Sequence, residues 1–287
     1  MPKDICGAGE LCTPCYDPRT GANTGACSQG CDTGPKDPPK PFQECCNGAG
    51  SCVPPALVPA KDATLLGKDT CKGATDLCAP DKLSDATYVP KTCASLSGSE
   101  GRCLASCLPD VAAEAARLPK DTCDAGELCA PCYDPITGKE TAACTLNGDA
   151  PAKPPFQYAG CCSGLGHCVP TTLLSSTQEA LLDKDTCSGA SDLCAPDVFS
   201  VAGQLPASCR ALGSVSAEGR CVPTCVPSVQ AEKSQLDSGS PACPANTLCA
   251  PCYDPQTGAD TGACTENGDA PKEPKKLFAA CCGGKGD

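Results

Sequence analysis

Apolar residues fall in short bursts along this chain, and none approaches the ~20 consecutive apolar positions of a membrane-spanning helix. Three bursts have helix-compatible composition: 110–118 (DVAAEAARL), 172–182 (TLLSSTQEALL) and 228–236 (SVQAEKSQL). They are Ala-rich or contain Leu and Glu, and a proline stands just upstream, so each predicts a short helix. A second burst, Leu-Cys followed by Ala or Thr and then Pro, recurs at Leu11, Leu77, Leu128, Leu193 and Leu248. The cysteine-rich stretches around it predict loops and short two-stranded β-ribbons. Tyr-Asp-Pro-x-Thr-Gly, starting at Tyr16, Tyr133 and Tyr253, predicts a turn. Asp caps it, Pro presets φ and Gly tolerates positive φ. Asn-Gly-Asp at Asn147 and Asn267 is a further turn signal. The proline-rich strings PKDPPKPF, PAKPPF and PKEPKKLF predict extended surface segments.

These pieces repeat. The string ICGAGELCTPCYDPRTGANTGAC around Cys6 returns at Cys123 and Cys243, and a second kind of unit opens at Cys71 (CKGATDLCAPD) and Cys187 (CSGASDLCAPD). The order is A1 (1–70), B1 (71–122), A2 (123–186), B2 (187–242) and A3 (243–287, incomplete). A and B share their opening and look like diverged copies of one module. Lys-Asp-Thr-Cys precedes three of the boundaries, and MPKDIC resembles it. The expectation is an excerpt of a longer, elongated array of small disulfide-rich tandem repeats, mostly loops with short ribbons and short linker helices.

Composition sharpens this. Cys accounts for 31 of 287 residues, above the about 8–10% that marks a disulfide scaffold, while aromatics are only 3% and Trp is absent. Covalent staples therefore stand in for a large apolar core. Such a framework belongs to an oxidising compartment, extracellular or at the cell surface. The net charge of −12 repels nucleic acid, which is discounted as a partner together with anionic lipid.

Counting by module constrains the pairing. A2 has seven cysteines and each B has five, both odd, so at least one bridge must run from an A to a B. The expectation is three bridges inside each A, two inside each B, and Cys52 and Cys168 bonded into the following B. The B-to-A joint would then be held by packing alone. A3, with six cysteines, could close on itself. The vicinal pairs at Cys45, Cys161 and Cys281 should each reach two partners, because a vicinal ring is strained. Cys31, in an insertion specific to A1, makes the total odd and is a candidate for an intermolecular bridge.

Little else carries chemistry. Cys-x-Pro-Cys (Cys12/Cys15, Cys129/Cys132, Cys249/Cys252) lacks the βαβ setting of a redox pair and the further ligands of a zinc site. His167 is the one histidine, and Ser51 takes its place in A1, which argues against a catalytic triad. The acidic turns offer oxygen ligands to Ca²⁺ but match no calcium-loop pattern, so no cofactor is expected.

The spacing resembles that of uncharacterised cysteine-rich repeat proteins of bacterial cell surfaces, along the whole chain. That resemblance implies no activity and no residue role. The functional expectation is not an enzyme but a structural or adhesive segment of a secreted or cell-surface fibre, stalk or coat. Its partners would be further copies or other surface proteins. The alternative is an extracellular binding or inhibitor module presenting one loop per repeat: Tyr16 and Asp17, Tyr133 and Asp134, Tyr253 and Asp254.

Overall fold

The strands of this protein are short, and proline or glycine stands at an end of most of them. In the computed structural model, which describes residues 7–30, 32–85, 87–201, 204–213 and 215–279, twelve strands form four antiparallel three-stranded sheets. The first sheet joins β1 (Glu44–Cys45), β2 (Gly50–Val53) and β3 (Leu77–Pro80), and the second joins β4 (Thr92–Ala94), β5 (Glu100–Ala105) and β6 (Glu127–Pro131). The third is β7 (Gly160–Cys161), β8 (Gly166–Pro170) and β9 (Asp192–Pro196). The fourth is β10 (Ser208–Ala211), β11 (Ala217–Pro223) and β12 (Thr247–Pro251). In each sheet a ribbon from one module pairs with the Leu-Cys-Ala-Pro strand that opens the next. Proline has no N–H to donate, so it closes that strand in all four.

The register is the same each time. The central strand's glycine faces proline (Gly50↔Pro80, Gly101↔Pro131, Gly166↔Pro196, Gly219↔Pro251), and cysteine faces cysteine two residues on. Two bridges staple each sheet. One links the first strand to the third: Cys45–Cys78, Cys93–Cys129, Cys161–Cys194 and Cys209–Cys249. The other links the central strand to the first cysteine of the next module: Cys52–Cys71, Cys103–Cys123, Cys168–Cys187 and Cys221–Cys243.

The connectivity corrects the expectation drawn from parity. Cys52 and Cys168 do bond into the following B, but so do Cys45 and Cys46, and Cys161 and Cys162. The B-to-A joint is stapled twice and not held by packing alone. Among the described residues no bridge closes within a B, and the bridge within each A is Cys15–Cys27, Cys132–Cys144 or Cys252–Cys264. A3 therefore does not close on itself: Cys243 and Cys249 reach back to B2. Parity sets a minimum number of crossing bridges and no maximum. A2's seven cysteines divide as two bonded backwards, two to each other and three forwards, and B1's five as three backwards and two forwards. Cys31 lies outside the described residues, as do Cys6, Cys281 and Cys282.

The glycine of each central strand follows from close approach. A Cβ at Gly101 would collide with the Ala130 carbonyl oxygen and sit 2.8 Å from Cys129 Sγ; at Gly219 it would sit 2.5 Å from the Ala250 oxygen. Backbone cannot yield as a flexible side chain can. Gly101→Ala is therefore expected to cost about 1–3 kcal/mol through overpacking and to open the β5–β6 edge first. Amide exchange at Cys132, whose N–H donates to Glu100 O at 2.9 Å, checks this: unchanged protection there would refute it.

The Lys-Asp-Thr-Cys string also acquires a physical reason. Asp69, Asp121 and Asp185 sit at φ 41–43°, and each carboxylate accepts a first-strand-side N–H, from Cys46 (2.7 Å), Ala94 (2.8 Å) and Cys162 (2.7 Å). Aspartate tolerates this left-handed conformation better than most residues, and its side chain satisfies a strand donor. The fourth joint replaces the string, and there Arg210 and Ser240 exchange both backbone hydrogen bonds, at 2.9 and 3.1 Å.

Two compact units result. Unit 1 (Met1–Asp134 and Lys139–Pro155) holds the first two sheets, which Cys46–Cys107 ties together. Its carbon core gathers Leu104, Leu108, Val111, Leu118 and Ala130 against the Cys132–Cys144 bridge. Unit 2 (Pro135–Gly138 and Phe156–Asp287) holds the last two sheets, tied by Cys162–Cys225, and packs Val222, Val229 and Ala250 against Cys252–Cys264. A third carbon cluster in unit 2 sets Val169 and Ala195 against Tyr158, and the other four buried clusters are built almost wholly of cystines. The expected helices are one or two turns long: Pro109–Ala113, Ser176–Leu181 and Pro227–Ala231. The first and third bury a valine (Val111, Val229) in those carbon cores, and Ser175 and Gln178 form a capping box on the second. No helix among the described residues is long and apolar enough to cross a membrane.

Candidate functional site

The Tyr-Asp-Pro loops are turns wound around their own aspartate. Asp17 Oδ1 accepts the N–H groups of Arg19 (2.8 Å) and Thr20 (3.0 Å), and Asp254 Oδ1 those of Gln256 (2.8 Å) and Thr257 (2.7 Å). Those backbone donors hold both carboxyls below the usual aspartate range. The tyrosines pair across the loop, Tyr16 with Asn23, Tyr133 with Glu140 and Tyr253 with Asp260. Tyr133 and Tyr253 are half-buried against the two carbon cores. Asp134 likewise sits half-buried, its N–H donating to Lys139 O at 2.8 Å. The side chains that face solvent are those after the proline, such as Arg19 and Gln256, whereas Ile136 packs against Tyr158 and Val169.

The two B-to-A joints carry a buried ion cluster that the sequence reading did not foresee. Arg102, on β5, donates to Asp149 (Nε–Oδ2 2.6 Å, Nη2–Oδ1 3.1 Å) and to Glu100 Oε1 (2.8 Å). Glu100 Oε2 also accepts the N–H groups of Ala152 and Lys153, at 2.9 and 2.6 Å. Burial pushes the Glu100 carboxyl up, but Arg102 and the two N–H groups outweigh it and hold it below the ordinary range; Arg102 does the same for Asp149. Arg220, Glu218 and Asp269 repeat the cluster in unit 2. The arginines retain only 4% and 2% side-chain exposure. The neighbouring Asn-Gly-Asp turns do more than turn: Asn147 Nδ2 donates to Tyr88 O at 2.8 Å, and Asn267 Nδ2 to Val198 O at 2.8 Å. A signal was present in the shared EGRC and NGD strings, but nothing in one dimension said that they meet.

At the A-to-B joints the arginine position is Ser51 or His167, each facing the aspartate after Leu-Cys-Ala-Pro. Ser51 Oγ donates to Asp81 Oδ1 at 3.1 Å, and His167 Nδ1 lies 2.7 Å from Asp197 Oδ1. The two kinds of joint thus share a backbone and differ in their polar side-chain pairs. Several groups of three cysteine sulfurs lie close enough to hold a metal ion, but those named here (Cys45, Cys52 and Cys71; Cys93, Cys123 and Cys129) are all in disulfides and offer no thiolate. A cleft of about 520 Å³ in unit 2 lies beside Cys162–Cys225, and the Asp185 carboxylate lining it already accepts Cys162 N–H.

Among the described residues the one free cysteine is Cys12, which is half-buried. Its counterparts in A2 and A3, Cys129 and Cys249, are fully buried in bridges to the preceding B. The thirteen bridges among the described residues and the small antiparallel sheets define a disulfide-rich, loop-rich protein of an oxidising compartment. Beyond that class, no family model, no curated protein and no solved structure matches the chain.

Proposed function

We propose that the chain is a structural segment of a secreted or cell-surface fibre, stalk or coat, built as an array of disulfide-stapled repeats and without catalytic activity of its own. One observation carries this reading: the same doubly stapled joint occurs four times, and each joint takes its third strand from the next module. Folding and linking are then one event, and every added module buries its edge in its neighbour. Most polar side chains at the joints are committed to the joint itself. The alternative, a binder presenting one variable loop per repeat, is weaker because Ile136, the variable residue in A2, packs inward.

Particle shape tests the proposal. Negative-stain electron microscopy and small-angle scattering of the oxidised chain should give an elongated profile, with head-to-tail polymers on the cells that make it. Compact monomers at high concentration, with no polymer on cells, would sink it.

A further inference from the structure

The two bridges that staple each joint lie side by side, and the strand register explains why. At the second joint Cys103 on the central strand faces Cys129 on the third, so both side chains stand on one face of the ladder. They do not bond to each other. Cys129 reaches across to Cys93, which pairs with Gly101, and Cys103 reaches Cys123. The missing side chain of Gly101 leaves the room that Cys129 Sγ occupies. The sulfurs of Cys93, Cys123 and Cys129 consequently lie within 4.8 Å of one another, and Cys103 is bonded to one of them. These four residues alone make up the buried cluster at this joint.

The arrangement is not peculiar to one joint. At each of the other three, three of the four sulfurs meet the same limit, and the fourth is bonded to one of those three. Four cysteines at one buried point are the ligand set of a structural zinc site in every respect but oxidation state. Zn²⁺ takes four thiolates at about 2.3 Å in a tetrahedron, whose edges are then about 3.8 Å. Reduction frees each sulfur to turn about its Cα–Cβ bond toward such a point. The Cys-x-Pro-Cys pairs do not supply this set together: Cys129 belongs to the joint, whereas Cys132 is bonded to Cys144 in the carbon core.

We propose that in the thiol form of the chain each joint is a four-cysteine site for a thiophilic divalent cation, Zn²⁺ being the ion that fits, and that the ion closes the same joint that two bridges close after oxidation. At the second joint the ligands are Cys93, Cys103, Cys123 and Cys129. Each bridge takes two electrons from a phosphine, which leaves as its oxide with an oxygen from water, and the two sulfurs become thiols. Four thiols then release four protons as they bind one ion. Metal binding and strand pairing form together, because the reduced sheet supplies the site and the ion supplies the staple. At the third joint the sulfurs of Cys162 and Cys225 also lie within 4.8 Å of Cys194, so that site has spare ligands and the second joint is the cleaner one to test. The inference goes beyond the array reading and holds or fails whether or not the chain polymerises.

Metal titration of the whole chain, reduced with a phosphine in the absence of oxygen, tests it. Zn²⁺ should restore the protease resistance that reduction in metal-free buffer removes, with one ion held tightly at each of the four joints. Co²⁺ should give the visible absorption of a tetrahedral tetrathiolate, and Zn²⁺, which such sites hold more tightly, should bleach it. Cys93→Ser should lower the count of tightly held ions by one. Cys93→His, which returns a ligand, should restore it, and Cys132→Ser, outside the joint cluster, should leave it unchanged. Metal uptake without regained protease resistance would overturn the proposal. So would equal counts for Cys93→Ser and Cys132→Ser, which would mean generic thiol binding.

Discussion

Full reduction is expected to unfold this protein at neutral pH without denaturant. Each bridge limits the freedom of the unfolded chain, and a closed loop of 20 residues, as in Cys103–Cys123, is worth about 3 kcal/mol in the chain-entropy model. Cys46–Cys107, with a separation of 61, is worth about 4 kcal/mol in the same model. Net stabilities of domains are only about 5–15 kcal/mol, so losing a handful of bridges exhausts the margin even where the contributions do not add. The carbon cores cannot compensate: six buried aliphatic side chains gather in the first and four in the second, Tyr158, Val169 and Ala195 form a small third, and the remaining buried clusters are mostly the cystines themselves. Limited proteolysis during titration with a phosphine reads this out. Uniform cleavage should appear once the bridges are reduced, and the double substitution Cys103→Ser with Cys123→Ser should release the second sheet at lower denaturant than the rest. A reduced chain that keeps its protease resistance would show that packing alone holds the fold.

Arg102→Leu is expected to cost about 3–5 kcal/mol at pH 7, the penalty of leaving buried carboxylates without their cation. Glu100 keeps its two backbone donors, but Asp149 loses both guanidinium contacts. Arg220→Leu should do the same in unit 2, where Glu218 and Asp269 face the same loss. The pH dependence has a definite sign. All four carboxyls titrate below their ordinary range in the folded protein. Their contribution is therefore fully present above about pH 4–5 and is lost as pH falls through their lowered folded values. In Arg102→Leu the arginine's share of that depression disappears, so the gap to the parent protein should narrow on acidification. Denaturant midpoints at pH 7 and pH 3 check both statements. A loss under 1 kcal/mol at pH 7, or a gap that widens at pH 3, would mean that the cluster is not what holds this joint.

Much of the framework was legible one residue at a time. The cysteine count, the scarcity of aromatics and the recurring strings specified a stapled, loop-rich fold of small ribbons. The turns at Tyr16, Tyr133 and Tyr253 follow from short-range rules, since Asp, Pro and Gly act on their own backbone. The short helices were placed within a few residues because Pro and Ala act locally too. What the strings could not convey was partnership across distance. Odd cysteine counts require a crossing bridge, yet the pairing of Cys93 with Cys129 depends on β4 and β6 lying on either side of β5. The boundary drawn in sequence at Cys123 cuts through the middle of a sheet, because the Leu-Cys-Ala-Pro strand completes the sheet of the module before it. Likewise nothing in one dimension pairs Arg102 with Asp149, 47 residues apart, until the fold brings them together. Local chemistry decided that this chain would be a chain of staples. Which staple closes on which was decided by strand pairing, where backbone hydrogen bonds and the close approach at Gly101 select one register from the many that the cysteines alone would allow.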